Sequence, residues 1–423
     1  MLLSLISPLA LMLTMSSDGA EVKTLLSLFV IFTAAKLAAE LFERLHQPAV
    51  VGEILAGVII GPSVLGWIHP TEVTQVLAEI GVILLLFLVG LEINPTSLFK
   101  VGRRALLIAI SGVILPFLGG WGLMWGLGYT QVESAFIGAA LVATSVGITA
   151  RVLGAMKVLN AQASQMILGA AVIDDILALL VLSGVSSFAQ GQVRFLDLAI
   201  SASISIGFTL FVLFFGSRLM RKAQPGIEQL QVGETYFVVG MILCLGLSLA
   251  GAVVGVAAII GAFLAGMALS ETAEETHLHQ QAGAVMEFTV PFFLVGIGLQ
   301  LNIQVFSQPS VLILAIVLTL IAILTKLIGC GLAALPGNGF RTGLQVGMGM
   351  VPRGEVGIIV AQIGLSLGVL SASLYGIVVF MAVMTTLAAP PFLTRLFASE
   401  IRSEVAQVDA QVIEEDQIFS DIQ

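Results

Sequence analysis

Charge is scarce in this chain. Asp, Glu, Lys and Arg make up 10% of its 423 residues, where soluble proteins carry about 25%. So little charge cannot solvate a globular surface, which excludes a soluble protein. Polar stretches are also missing. No segment between apolar runs is long enough to fold as a soluble domain, so a separate catalytic module is not expected. The only two cysteines, Cys244 and Cys330, fall inside apolar runs. They give no disulfide framework and behave as small apolar groups. Strict alternation of apolar and polar residues is absent as well, which excludes a membrane β-barrel.

What is present is hydrophobic length. The chain is 58% hydrophobic, with a mean hydropathy of +1.08. A helix needs about 20 apolar residues to cross a bilayer, and segmentation on that scale gives about thirteen spans. Their expected positions are 24–44, 49–67, 74–92, 104–127, 131–155, 163–186, 195–218, 234–250, 252–269, 284–302, 310–334, 341–367 and 370–395. The expected fold class is therefore an all-α polytopic membrane protein. Its surroundings are the lipid bilayer, and no nucleic-acid partner is expected.

The basic residues fix an expected orientation, because cytoplasmic loops are enriched in Lys and Arg. Arg44, Lys100, Arg103, Arg104, Arg151, Lys157, Arg218, Arg221, Lys222, Arg341, Arg395 and Arg402 fall on one side. Only Lys23 and Arg194 fall on the other. The N-terminus is then outside and the C-terminus cytoplasmic, which requires an odd number of spans. Residues 1–16, within an N-terminal segment 1–23, read as a cleaved leader, an interfacial stub or an extension of the first span. Residues 396–423 form an acidic cytoplasmic tail. Seven acidic side chains and one Arg in 400–423 account for most of the net charge of −9.

Two spans are interrupted. The fifth holds Thr144, Ser145 and Thr149 beside Gly147. The twelfth holds Pro352, which removes a backbone donor, among Gly349, Gly354 and Gly357. They lie seven spans apart, so their orientations are opposite. Interrupted helices at matching places in two halves point to a secondary transporter built from inverted repeats. The transmembrane region 24–395 then divides into a first repeat 24–186, a linker helix 195–218 and a second repeat 234–395.

Intramembrane charge is the strongest functional signal, since a charged side chain at bilayer depth is costly and marks a site by default. Asp174 and Asp175 are adjacent in the sixth span, Lys326 lies in the eleventh, and Arg353 and Glu355 lie in the twelfth. Neighbours on a helix project about 100° apart, so one aspartate can face a basic partner while the other faces water. Lys326 is the natural partner for one of them. Hard oxygen ligands for a small cation would come from Asp174, Asp175, Thr144 and Ser145. Protons compete for the same carboxylates, and antiport follows if only loaded states switch sides. Arg353 and Glu355, spaced i, i+2, do not face each other on a regular helix. Each can instead neutralise a half-helix end.

Weaker signals have ordinary readings. Lys36 and Glu40 are spaced for a local ion pair. Glu53, Glu92 and Glu287 at span ends are either a cation-concentrating funnel or plainly solvated. His277 and His279, beside Glu271, Glu274 and Glu275, read as a solvated loop. Competing functions are a cation channel, a potassium/proton antiporter and an intramembrane aspartyl protease. The protease needs its two aspartates on different helices, and here they share one.

The segments LHQPAVVGEILAGVIIGPSVLG (45–66), ILLLFLVGLEIN (83–94), ATSVGITARVL (143–153), AAVIDDILALLVL (170–182), GAFLAGMALS (261–270), PFFLVGIGL (291–299), TKLIGCG (325–331) and GMGMVPRGEVG (347–357) carry a resemblance. Together they are similar to the monovalent cation:proton antiporter-2 (CPA2) family, particularly its bacterial sodium/proton antiporters. The resemblance implies two crossed broken helices, a dimerisation domain, a mobile core domain that moves like an elevator, and a homodimer. It implies that Asp175 is the main carrier of ion and proton and that Asp174 pairs with Lys326. Electrogenic exchange of sodium or lithium for more protons is implied by the two aspartates. Relatives that handle potassium often have a nucleotide-binding domain and a Gln at the first carboxylate, and this chain shows neither. The resemblance makes the protein a carrier rather than an enzyme, with no cofactor beyond the transported ions. Its expected site is the cytoplasmic membrane, or an internal energised membrane.

Overall fold

The computed structural model describes residues 20–45, 47–93, 95–189, 195–227, 234–273 and 277–401. Residues 1–16, most of the acidic tail, Arg194, Glu274 and Glu275 lie outside them, as do the side chains of Lys100, Glu271 and Glu355. All regular structure among the described residues is helical.

Among the described residues, fifteen α-helices follow one another. They are α1 (Ala20–Arg44), α2 (Ala49–Ile60), α3 (Glu72–Glu92), α4 (Pro95–Gly126), α5 (Gln131–Ala140), α6 (Val146–Ala155), α7 (Gln162–Ala189) and α8 (Phe195–Ile227). Then come α9 (Thr235–Val253), α10 (Ala258–Ala273), α11 (Leu278–Leu299), α12 (Pro309–Ala334), α13 (Gly339–Gly349), α14 (Glu355–Ser366) and α15 (Ala372–Leu396). Nine are long and apolar enough to cross a membrane alone. Of the remainder, α2 and α10 are shorter single helices, and α5/α6 and α13/α14 are halves of the two interrupted spans. Taking each broken pair as one crossing gives the thirteen expected from hydropathy. The second span is shorter than expected. Its helix stops at Ile60, where Gly61 turns extended and Pro62 follows. Helix α8 is longer than its expected span 195–218, continuing to Ile227.

Local chemistry sets the helix starts. Thr71 caps α3 reciprocally, with its hydroxyl accepting from Thr74 N while Thr71 N donates to Thr74 Oγ1. Thr130 and Glu133 do the same for α5. Such boxes satisfy amides that have no partner inside the helix.

The helices pack in two sets. One contains α1–α3 and α8–α11, and the other contains α4, α5, α7 and α12–α15. Half-helix α6 lies between them, touching α2 and α3 on one side and α7 and α15 on the other. Spans one to three and eight to ten thus share one set, and spans four to six and eleven to thirteen share the other. That is the offset of seven expected of inverted repeats. Large apolar side chains such as Leu25, Phe211, Phe215, Ile242 and Leu249 are exposed along α1, α8 and α9. An aqueous protein does not leave patches of this extent.

Within the first set, small residues bring backbones together. A Cβ on Gly90 of α3 would overlap the carbonyl of Phe263, and one on Gly266 of α10 would overlap that of Phe87. Gly57 and Gly298 interlock α2 and α11 in the same way. Without a hydrophobic force between helices in lipid, such close approach supplies the contact energy. Gly266→Ala is therefore expected to cost about 1–3 kcal/mol by overpacking, read as a lower thermal midpoint in detergent. Gly246→Ala on α9, where a Cβ meets open space, should leave the midpoint in place.

Candidate functional site

Both interrupted spans break where their backbone groups lose intrahelical partners, and the breaks meet. After α5 the chain runs through residues 141–145, with Ser145 extended at φ −84°, ψ 96° before α6. After α13 it runs through 350–354 to α14. Ser145 N donates to Pro352 O at 2.8 Å. Thr149 Oγ1 donates to Gly349 O at 2.8 Å, and Thr144 Oγ1 to Met350 O at 3.4 Å. Residues of the first break thus satisfy carbonyls of the second.

Arg353 returns the arrangement. Its side chain is fully buried. Nη1 donates to Ala143 O at 3.2 Å and Val142 O at 3.4 Å, and Nη2 to Ala322 O at 3.1 Å. The guanidinium therefore sits where the carbonyl end of α5 places partial negative charge. Thr385 Oγ1 accepts from Arg353 N at 3.2 Å, and Thr386 Oγ1 donates to Arg353 O at 2.7 Å. The adjacent glycines make the crossing close: a Cβ on Gly354 would lie 2.5 Å from Ser145 Oγ, and one on Gly357 would lie 2.9 Å from Ala140 O.

The two aspartates project from α7 in different directions. Asp174 is fully buried, with Oδ1 and Oδ2 at 3.0 and 3.1 Å from Lys326 Nζ on α12. Lys326 is also fully buried. Asp175 instead lines a cavity of about 10 Å³, formed with Leu86 of α3, Val146 of α6, Leu168 and Val172 of α7, and Ile259, Ile260 and Phe263 of α10. That is space for about one water. Asp174 therefore faces its own helix set, and Asp175 faces the seam between the two sets. Ser145, one residue before Val146, has a buried hydroxyl without a hydrogen-bond partner. Thr144 and Ser145 lie at the crossing, beside the second break. Glu355 opens α14, and its side chain lies outside the described residues.

Several expectations need correction. Lys36 does not pair with Glu40. Lys36 Nζ is 3.0 Å from Glu287 on α11, and Glu40 pairs with Arg44 at 2.7 Å. Glu287 also holds Arg151 of α6 at 2.9 Å. Glu53 is not solvated at a span end. It is 2% exposed, and its Oε2 has no hydrogen-bond partner. His279 is not a free loop residue, since its Nε2 is 2.7 Å from Glu92 of α3. Thr385 and Thr386 held no signal in the sequence, because threonine is ordinary in an apolar helix and their partner lies on another span.

Residues 12–398 match the family described as "Sodium/hydrogen exchanger, transmembrane". The chain belongs to this family of sodium/hydrogen exchangers. This exchanger is 35% identical over 373 residues to the Na(+)/H(+)-K(+) antiporter GerN of Bacillus cereus, covering 88% of this chain and 95% of that one. It is 34% identical to the high-affinity Na(+)/H(+) antiporter NhaS3 of Synechocystis, covering 90% and 92%. A Na(+)/H(+) antiporter of Enterococcus hirae is 34% identical over 86% of this chain and 95% of its own. Among solved structures, the sodium proton antiporter MjNhaP1 of Methanocaldococcus jannaschii at pH 8 superposes with a TM-score of 0.65 at 16% identity, over 88% of this chain and 96% of that one. That likeness shows the fold: a multi-pass helical membrane protein of the antiporter type.

The crossing makes a stability prediction for the exchanger. Arg353→Met leaves three buried carbonyls without their charged donor. The expected cost is about 3 kcal/mol or more, measured as a fall in the thermal midpoint of the purified protein. An unchanged midpoint would mean that the crossing does not depend on the guanidinium.

Proposed function

We propose that this exchanger is a secondary active sodium or lithium/proton antiporter, and that exchange is electrogenic. The observation that carries the reading is the divergence of Asp174 and Asp175, with one carboxylate held by Lys326 and the other lining a cavity at the seam between helix sets. Asp175 is the exchanging carboxylate. A dehydrated cation there takes oxygen ligands from Asp175, from Asp174 once it is released, and from Ser145 and Thr144 at the start of α6. The positive end of the α6 dipole also lies there, so a bound ion needs the full carboxylate charge, and a neutral protonated carboxyl does not hold it. Cation and proton therefore exclude one another.

Lys326 supplies the second coupled proton. While Asp174 pairs with it, the ammonium has its counter-charge. When a cation draws Asp174 away, the buried ammonium loses its counter-charge and gives up its proton. Two protons then leave for one monovalent cation, and net charge moves. Each net charge is worth about 2.3 kcal/mol per 100 mV, so membrane potential adds to the pH gradient in expelling sodium.

The two helix sets supply the parts for alternating access. The set with α1–α3 and α9–α11 acts as the dimerisation scaffold of a homodimer. The set with the crossing and the aspartates acts as the mobile core, and α8 links the repeats. Displacement of the core carries Asp175 from one face to the other. The basic loops place the C-terminus in the cytoplasm and the N-terminus outside, in the cytoplasmic membrane or an internal energised one.

A potassium/proton antiporter is the second reading, favoured by the potassium in the name of the Bacillus cereus relative. A channel is disfavoured by the sealed crossing and the lysine-paired carboxylate.

Proteoliposomes carrying a pH dye test the proposal. Sodium and lithium are expected to drive proton flux and potassium not to. An equal response to potassium would establish the second reading. Asp175→Asn should reduce cation-driven flux to that of protein-free vesicles, and undiminished flux would remove Asp175 from its role. Clamping the potential with potassium and valinomycin should change the rate in proportion to the voltage. A voltage-independent rate would mean electroneutral exchange.

A further inference from the structure

Asp174 and Lys326 belong to α7 and α12, yet these helices scarcely pack against each other. Each packs along α4 instead. The ion pair must therefore close across the face of α4, and the residue at that point of α4 is Gly112. A Cβ built on Gly112 would lie 3.2 Å from Lys326 Nζ and 2.7 Å from Cys330 Sγ. The ammonium thus rests against bare backbone. The two helices are drawn together at this level. Ser111 Oγ donates to Gly329 O at 2.9 Å, and Cys330 Sγ donates to Ile108 O at 3.6 Å. A side chain on Gly329 would meet Ser111 O at 2.9 Å. Neither helix can withdraw to make room.

We propose that Gly112 is a positioning residue for transport: its missing side chain is the window through which Lys326 reaches Asp174. This rests on the reading of that pair as the element that couples the second proton. Alanine at 112 forces Cys330 Sγ to move and the ammonium to retreat by a few tenths of an ångström. Alanine is also a better helix former than glycine, so α4 itself is not weakened. The consequence falls on the ion pair, whose geometry alone keeps two buried charges compensated. Because the sulfur is the nearer obstacle, removing it opens space on the α12 side. Cys330→Ala should then let the lysine tip return to Asp174 in the presence of Ala at 112.

The test is the pH profile of sodium-driven proton flux in proteoliposomes of the full chain. The variants are Lys326→Gln, Gly112→Ala, Cys330→Ala, Gly112→Ala with Cys330→Ala, and Gly122→Ala. With the ammonium displaced, the neighbouring carboxylates keep their protons to higher pH. Gly112→Ala is expected to move the half-maximal rate upward by about half a pH unit, in the direction of the larger shift of Lys326→Gln. The double variant should return toward the wild-type profile. Gly122→Ala, on the same helix with open space around its Cβ, and Cys330→Ala alone should keep that profile. If Gly112→Ala does not assemble, Cys330→Val narrows the same window from α12 and must give the same upward shift.

A wild-type profile for Gly112→Ala, or a shift that Cys330→Ala does not reverse, overturns the window. If Lys326→Gln itself keeps the wild-type profile, the reading of the pair falls. If only Lys326→Gln shifts, the window alone falls.

Discussion

A backbone carbonyl or amide inside a bilayer has no water to bond to, and the two broken spans leave a cluster of such groups at the centre of this protein. Everything else at the site depends on how they are satisfied. Ser145, Thr144 and Thr149 of one break serve the carbonyls of the other. Arg353 serves those of the first, and Thr385 and Thr386 hold Arg353 in turn. The crossing is thus closed by side chains of both breaks and of α15. This lets the start of α6 sit beside Asp175 in an apolar seam. Removing regular helix here would be ruinous for an isolated span, and only the meeting of two breaks makes it tolerable.

The electrostatics follow from that frame. At roughly 4 Å and an effective dielectric near 20, opposite charges attract by about 4 kcal/mol, and the Asp174–Lys326 pair lies closer than that. Such an attraction ties α7 to α12 across the face of α4. Asp175 has a different setting, against Leu86, Ile260 and Phe263 across the seam. Two chemically identical neighbours therefore differ because a helix turns between them.

Much of this was legible in the sequence. Hydropathy gave the number of crossings, because burial in lipid acts on about 20 residues at once. Pro352 and the glycines around it marked one break, and Thr144–Thr149 the other. Intramembrane charge marked Asp174, Asp175, Lys326 and Arg353. What could not be read was partnership across helices. Lys36 and Glu40 had ideal local spacing, yet Lys36 reaches Glu287, 251 positions away. Glu53 looked interfacial because it lies near the start of the second span, whereas α1 and α11 pack on α2 there and bury it. Gly112 carries no signal of its own in the sequence, since its meaning depends on what α12 places against it. Periodicity reports on a residue's own helix, and these features belong to the spaces between helices.

Glu287 is shared. It holds Lys36 of α1 at 3.0 Å and Arg151 of α6 at 2.9 Å, and so touches both sides of the boundary between the helix sets. A carboxylate with two cationic neighbours can lose one and still be compensated by the other. Arg151 thereby ties α6 by charge to α11, on which Glu287 also anchors α1.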